Sequence, residues 1–406
     1  MQHLTAGARQ GILLIAVAWL APIGSTLFAP VLPHMIAHFS MVPHAGVLAP
    51  VALVTPALFV ALLAPVAGIL ADRIGRRRLL LWALAIYATA GVAPFWIDNI
   101  YGIIITRSVV GVAEAGVMTA STALICDYFS GERRAHWLSI QFGSASLVAT
   151  VCFVLAGFLG GIEWRMPFLL YGATGLFIPF VLLFIFEPRV ASRESVEMAG
   201  AVAPSGIFSR RFIGCLALTL FFGLLFYVTP VHISLVLNER GFSDPRMAGM
   251  ASAIGSIGVI AGAALFRTYS QRAIGALLAA AMLAQAAGFA ILYTQSSILA
   301  GVTGMFVNNV GCGVSLPLVL ALTMAKLRED HRGRAAGIWT SMFFIGQFLC
   351  PLAVAAVASG SGGMVGAMAF FGGITLTAAI LFLAGLGFAP FFQESAAVGG
   401  RTVQGH

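Results

Sequence analysis

Twelve apolar runs divide the chain, at about 11–37, 48–71, 79–97, 100–126, 137–161, 166–186, 212–237, 246–266, 273–293, 297–325, 335–358 and 364–391. Each has the roughly 20 residues a helix needs to cross a ~30 Å hydrocarbon core. A spanning helix satisfies its own backbone hydrogen bonds, so runs of this length predict helices and not a barrel. The first run is too long for a removable signal peptide and lacks a small-residue cleavage site. Polar breaks between runs are short except for "FEPRVASRESVEMAGAVAPSGIFSRR" (186–211), which has six runs before it and six after. The pattern predicts an all-α membrane protein of twelve transmembrane helices in two pseudo-symmetric six-helix bundles. The bundles are 1–187 and 211–406, the second with a short tail, joined by a linker loop over 188–210. Two matching halves are a common transporter plan, with the substrate site between them near the midplane. The halves also echo each other in sequence. "GILADRIGRRR" (68–78) follows the second run and "GAALFRTYSQR" (262–272) the eighth, while "GERRAHW" (131–137) and "HRGRAAGIW" (331–339) open the fifth and eleventh.

Composition agrees, and charge adds orientation. Mean hydropathy is +0.99 and only 9% of residues are charged, against about a quarter in soluble domains. With both termini on one side, that side receives Arg9, Arg73, Arg76, Arg77, Arg78, Arg133, Arg134, Arg189, Arg193, Arg210, Arg211, Arg267, Arg272, Lys326, Arg328, Arg332, Arg334 and Arg401. The other side receives Arg165, Arg240 and Arg246. Cationic loops stay cytoplasmic, which predicts a multi-pass protein of the cell (inner) membrane with both termini cytoplasmic. The net charge of +8 is then topological and implies no nucleic-acid partner. Cysteines 126, 152, 215, 312 and 350 lie within or at the ends of runs without paired spacing, so neither a disulfide nor a zinc site is expected.

"GILADRIGRRR" resembles the signature loop between helices 2 and 3 of the major facilitator superfamily. "RSVVGVAEAG" (107–116) is similar to its helix 4 motif, with Arg107 and Gly111 in place, and "EWRMPF" (163–168) and "FEPR" (186–189) to its turns around helix 6. With the six-plus-six layout, the resemblance covers essentially the whole chain. It implies a monomeric carrier in the lipid bilayer that moves a small molecule by alternating access, with no cofactor and a proton gradient as driving force. It also implies a cytoplasmic gate. Asp72 would cap and pair with the start of helix 11, Gly68 and Gly75 would allow close approach and a tight turn, and Arg73 or Arg76 would pair with Asp127. Such partly desolvated pairs suit a gate, forming in one state and hydrating in the other. The simpler reading, that the arginines only set topology, fits Arg77 and Arg78 but leaves Asp72 unexplained.

Departures from the family weaken the antiport inference. The helix 5 antiporter motif is half present in "CFVLAGFLGG" (152–161), and residues 11–33 carry no charge where many drug–proton antiporters have an acid. The remaining carboxylate deep in a span is Glu114, and ionisable groups at that depth default to a functional hypothesis. Arg107 lies two turns earlier on the same helix face, roughly 10 Å away at 1.5 Å per residue. Facing helix 1 across the cavity, the two would bind a proton or a charged substrate group; alternatively they tie helix 4 to a neighbour.

Further cavity candidates are Asn308, Asn309, Gln141, Gln347, His232, Phe226, Tyr227, Trp339 and Phe343, each equally readable as interhelical or lipid-facing packing. His34 and His38 have a metal-compatible spacing near His44, but no carboxylate or thiol joins them, and no metal is expected. The chain shows no Ser–His or paired-Asp protease constellation, no recurring polar rings for a channel, and no soluble signalling domain. Enzymatic activity is not expected. Two transport readings remain. The preferred one is proton-coupled efflux of a hydrophobic or amphipathic compound. The alternative is proton-coupled uptake of an organic anion, or transport of a lysolipid-like substrate, which Arg107 favours.

Overall fold

The computed structural model describes residues 6–187, 209–269, 274–325, 327 and 329–384. Residues 188–208 of the predicted 188–210 linker, the end of the second echo at 270–272 and the tail beyond 384 lie outside the described residues. Among the described residues, twelve helices are long and apolar enough to span a membrane. They are α1 (Ala8–His38), α2 (Ala45–Ile74), α3 (Arg76–Phe95), α4 (Ile100–Tyr128), α5 (Gly131–Gly160) and α6 (Met166–Phe184). The second half has α7 (Arg210–Glu239), α8 (Pro245–Tyr269), α9 (Ile274–Thr294), α10 (Ile298–Met324), α11 (Glu329–Ser361) and α12 (Met364–Leu383).

Helix starts are set by local chemistry. Asn99, Ser209 and Ser297 accept the first free amides of α4, α7 and α10 through their side-chain oxygens. Two carboxylates do the same from a distance. Glu187 accepts the amides of Arg76 and Arg77 at 2.6 and 3.0 Å, and Glu239 those of Met364 and Val365 at 2.7 and 3.0 Å. A carboxylate at a helix N-terminus satisfies orphan donors and complements the dipole. Glu187 reaches α3 because Gly75 adopts φ +97°, a conformation that costs glycine nothing.

Each half builds its own apolar core. In the first, Leu14, Phe28, Leu53, Leu80, Ile103 and Phe168 are buried together; in the second, Phe222, Val236, Met282, Phe289, Leu318 and Val354. The halves meet where α2 packs on α11 and α5 on α8. A Cβ added at Gly249 would lie 2.5 Å from the Phe153 carbonyl oxygen and 2.8 Å from Gly157 Cα, so only glycine lets α5 and α8 cross this closely. At the same end the Arg246 guanidinium lies 6.0 Å over the Phe158 ring, and Ser234 of α7 donates to the Ala29 carbonyl of α1 at 2.7 Å. That end, remote from the arginine-rich loops, is closed. Nearer the arginine-rich end, Gly143 of α5 and Gly337 of α11 would meet no atom within 4 Å of an added Cβ. Between those depths Ser341 of α11 still donates to the Ala61 carbonyl of α2 at 3.0 Å.

One run departs from its expected form. The sequence read 11–37 as a single span, but α1 consists of Ala8–Ala18, Leu20–Thr26, a 3-10 turn at Ala29–Val31 and Leu32–His38. Pro22, Pro30 and Pro33 each lack an amide hydrogen, and a proline frees the carbonyl four residues earlier. Ala29, four before Pro33, is the carbonyl that Ser234 takes.

Candidate functional site: a midplane cavity backed by a broken helix

α1 ceases to be regular after Thr26, which leaves the Gly24 carbonyl without its helical donor, and buried carbonyls must find donors. Buried side chains of the first half supply them. Tyr87 of α3 donates its hydroxyl to Leu20 at 2.6 Å. Arg107 of α4 donates to the Gly24 carbonyl, to the Tyr171 hydroxyl at 2.6 Å and to Ala52 of α2 at 3.4 Å, while Tyr171 of α6 also donates to Gly24 at 3.0 Å. The Arg107 guanidinium also lies 5.0 Å from the Phe28 ring centre and 5.3 Å from that of Tyr171. A cation at the C-terminal end of Leu20–Thr26 complements that segment's dipole. Arg107 is fully enclosed. Glu114 is 4% exposed, and its Oε2 has no hydrogen-bond partner. It closes on the same place: a Cβ at Gly24 would sit 2.8 Å from Glu114 Oε2 and 3.2 Å from the Tyr87 hydroxyl.

This corrects one expectation. Arg107 and Glu114 do face helix 1, but from inside the first half, and neither lines the space between the halves. The face of a helix that looks into a cavity is chosen by packing, which their spacing alone does not encode.

A cavity of about 210 Å³ lies between the halves at mid-depth. The first half contributes Ala21, Pro22 and Thr26 of α1 and Ala145, Ser146, Ala149 and Phe153 of α5. The second half contributes Phe226, Tyr227 and Pro230 of α7, Ser256 and Val259 of α8, Asn309 of α10 and Phe344 of α11. No Asp, Glu, Lys, Arg or His is among these residues. Asn309 is buried, and its Oδ1 has no partner.

Of the sequence candidates, Phe226, Tyr227 and Asn309 therefore line the cavity. Phe343 stands behind them, 5.9 Å from Phe226 and 6.2 Å from Tyr227, with Trp339 stacked on it. Asn308 turns into the second half, accepting from Thr229 at 3.3 Å and donating to the Gln285 carbonyl at 3.1 Å, while Gln285 donates to Ser315 at 3.0 Å. Gln141 donates to Thr122, Gln347 is buried, and His232 places Nδ1 3.0 Å from the Val228 carbonyl; none of the three is among the cavity residues. Sequence reasoning missed Pro22, Thr26, Phe153, Ser256 and Phe344. The prolines of the first run were the available signal for the α1 residues.

At the arginine-rich end, Arg76 pairs with Asp127 of α4 and approaches Asp72 Oδ1 at 3.5 Å, while Arg73 is exposed. The expected approach at Gly68 is absent, since a Cβ there would meet only Thr119, at 4.0 Å. The start of helix 11 that Asp72 was expected to cap lies outside the described side chains. At the other end, His38 and Arg165 each lie 2.5 Å from Asp98, so His38 is committed to a carboxylate in the first half.

Twelve spans in two halves, with a cavity between them, are the plan of a polytopic membrane transporter. The family model described as Major Facilitator Superfamily matches residues 14–351, and the chain belongs to that family. It is 25% identical over 398 residues to the bacillibactin exporter of Bacillus subtilis (strain 168), covering 91% of this chain and 95% of the relative. It is 26% identical over 376 residues to the class E tetracycline resistance protein of Escherichia coli, covering 86% and 87%. Its fold resembles that of a bacterial homologue of the human lysosomal transporter Spinster in an inward-facing, occupied conformation. That match has a TM-score of 0.72 and 17% identity, over 97% of this chain and 98% of the other.

Proposed function

We propose that the protein exports a hydrophobic or amphipathic organic compound by alternating access, in exchange for protons, as a monomer in the inner membrane with both termini cytoplasmic. The carrying observation is the cavity: apolar and aromatic, free of charged side chains, at mid-depth between the halves. Burying an unpaired charge against such walls is costly, whereas a ring with one hydrogen-bonding group finds stacking surface and the amide of Asn309. The bacillibactin exporter among the relatives supports the direction. The organic-anion reading rested on Arg107, whose donors are already given to Gly24, Tyr171 and Ala52.

Glu114 is the proton-carrying group in this reading, being the acidic side chain deep within a span and one with an unpartnered oxygen. Asp72, Arg76 and Asp127 form the cytoplasmic gate, with Gly75 turning the chain into α3. The test is transport in proteoliposomes carrying an imposed pH gradient and a trapped pH dye, against a panel of amphipathic compounds that includes tetracycline. Substrate movement against its gradient should be accompanied by proton counterflow. Glu114→Gln keeps size and hydrogen bonding and should abolish uphill accumulation while sparing exchange at equal concentrations. Uphill transport by Glu114→Gln under a pH gradient would overturn the proton assignment.

A further inference from the structure

The Leu20–Thr26 segment of α1 has two working faces. Pro22 and Thr26, one turn apart, look into the cavity. Leu20 and Gly24, also one turn apart, look the other way, where Tyr87, Arg107, Tyr171 and Glu114 converge. At 100° per residue, positions 22 and 24 are roughly 200° apart, so the two faces are opposed.

We propose that this segment is the element through which substrate and proton sense one another, with Gly24 as its positioning residue. The inference rests on Glu114 being the proton site. Its physical basis is competition for donors. A neutral Glu114 tolerates an unpartnered oxygen against Gly24, but an ionised one demands hydrogen bonds. The groups facing it are Arg107, Tyr87 of α3 and Tyr171 of α6, with Cys152 of α5 beside the two tyrosines. Arg107, Tyr87 and Tyr171 donate to the carbonyls of Leu20 and Gly24. When the proton leaves Glu114 for water, the carboxylate recruits Arg107 or Tyr87 and withdraws it from the broken helix. The segment loses a side-chain donor while keeping its backbone bonds to Ile15 and Trp19, so it pivots about that end, and Pro22 and Thr26 move on the cavity side. Conversely, substrate resting on Pro22 and Thr26 fixes the segment in one position and biases the protonation of Glu114. Such coupling is reciprocal by linkage.

Trp19 immediately precedes the segment, and its indole donates to Ser144 at 2.8 Å, so it reports the segment's position. The full chain, labelled with 5-fluorotryptophan in lipid nanodiscs, is titrated from about pH 5 to 9, a window that covers perturbed carboxyl groups. Trp19→Phe assigns the fluorine resonance. The Trp19 signal should move with pH, and the movement should be lost in Glu114→Gln. Gly24→Ala, which pushes on the carboxylate, should displace the midpoint. So should Ser146→Phe, which fills the cavity beside Pro22 and Thr26 without altering α1. If either of these two fails to fold, Glu114→Gln decides. A Trp19 signal that does not move, or that titrates unchanged in Glu114→Gln, overturns the coupling element. A still Trp19 alongside uphill transport lost in Glu114→Gln would overturn the coupling element alone. Uphill transport persisting in Glu114→Gln would remove the proton assignment beneath it.

Discussion

Replacing Gly249 tests the closed end directly. An alanine Cβ there would lie 2.5 Å from the Phe153 carbonyl oxygen, about 0.9 Å short of the 3.4 Å at which ordinary contact begins, and 2.8 Å from Gly157 Cα. Both obstacles are backbone, so no side chain can swing aside; α5 and α8 must separate. Overpacking of this kind costs about 1–3 kcal/mol. The penalty falls only on the state in which this end is closed, so it shifts the equilibrium between the two facing states about 5- to 150-fold toward the opposite one. Spin labels at Ile162 and Met247, both exposed at the closed end, should give longer distances in Gly249→Ala, and a pair at Ser139 and Leu265 shorter ones. Gly143→Ala is the control, because a Cβ there meets nothing within 4 Å. If Gly249→Ala leaves both distance distributions at wild-type values, the glycine crossing is not the seal, and the alternating-access assignment of these two ends falls with it.

Ser234→Ala removes the hydrogen bond to Ala29 across the same seam and should shift the equilibrium the same way by about 0.5–1.5 kcal/mol, read by the same label pairs. Arg107→Met removes one of two donors from the Gly24 carbonyl and the donor to the Tyr171 hydroxyl, and should cost about 1–3 kcal/mol, a drop in the thermal-unfolding midpoint of the detergent-solubilised protein; Arg107→Lys, a point charge without the planar fork, should recover only part of it. Asp98 is held below the usual carboxylate range, first by the hydrogen bond from His38 and then by the nearby charges of His38 and Arg165. A depressed carboxyl contributes stability above its unfolded-state pKa and loses it as pH falls through the folded one. The melting difference between wild type and Asp98→Asn should therefore be full at neutral pH and close on acidification; a difference independent of pH would refute the assignment.

Hydropathy located all twelve spans because a helix in hydrocarbon needs length and apolarity, both local properties. The loop motif placed the charge cluster, and the packing then chose Arg76 over Arg73 as the partner of Asp127. The broken helix was not legible, and its prolines show why. Pro50, Pro56 and Pro65 sit in α2, Pro230 in α7, Pro317 in α10 and Pro351 in α11, and each of those helices continues through them. A proline frees a carbonyl; whether the helix then breaks depends on donors from elsewhere. For α1 those donors are Tyr87, Arg107, Tyr171 and Ser234, which lie 67, 83, 147 and 205 residues from the carbonyls they take. No local pattern carries such information. Arg107 was misjudged for the same reason: its charge is visible in the sequence, its acceptors are not.

The two halves spend their buried polarity differently. Behind the cavity wall of the first half stand a cation and a carboxyl group, Arg107 and Glu114, both on α4. Behind that of the second stand Thr229, Asn308, Gln285 and Ser315, a neutral chain across α7, α10 and α9. A neutral amide network keeps its hydrogen bonds whatever the local pH, so the Thr229–Asn308–Gln285–Ser315 wall is the same in either protonation state of Glu114. A buried cation beside a carboxyl group does not, because the charge on the carboxyl alters how strongly every neighbouring donor is held. If Glu114 carries the proton, as proposed, the free energy of a proton gradient enters through the first half and reaches the cavity where that half is least regular. A continuous helix would resist it: moving one turn of α1 would break its own ladder of backbone hydrogen bonds. Leu20–Thr26 keeps its backbone bonds back to Trp19 and Ile15 but ends at Leu27, so its far end moves without breaking a ladder beyond it.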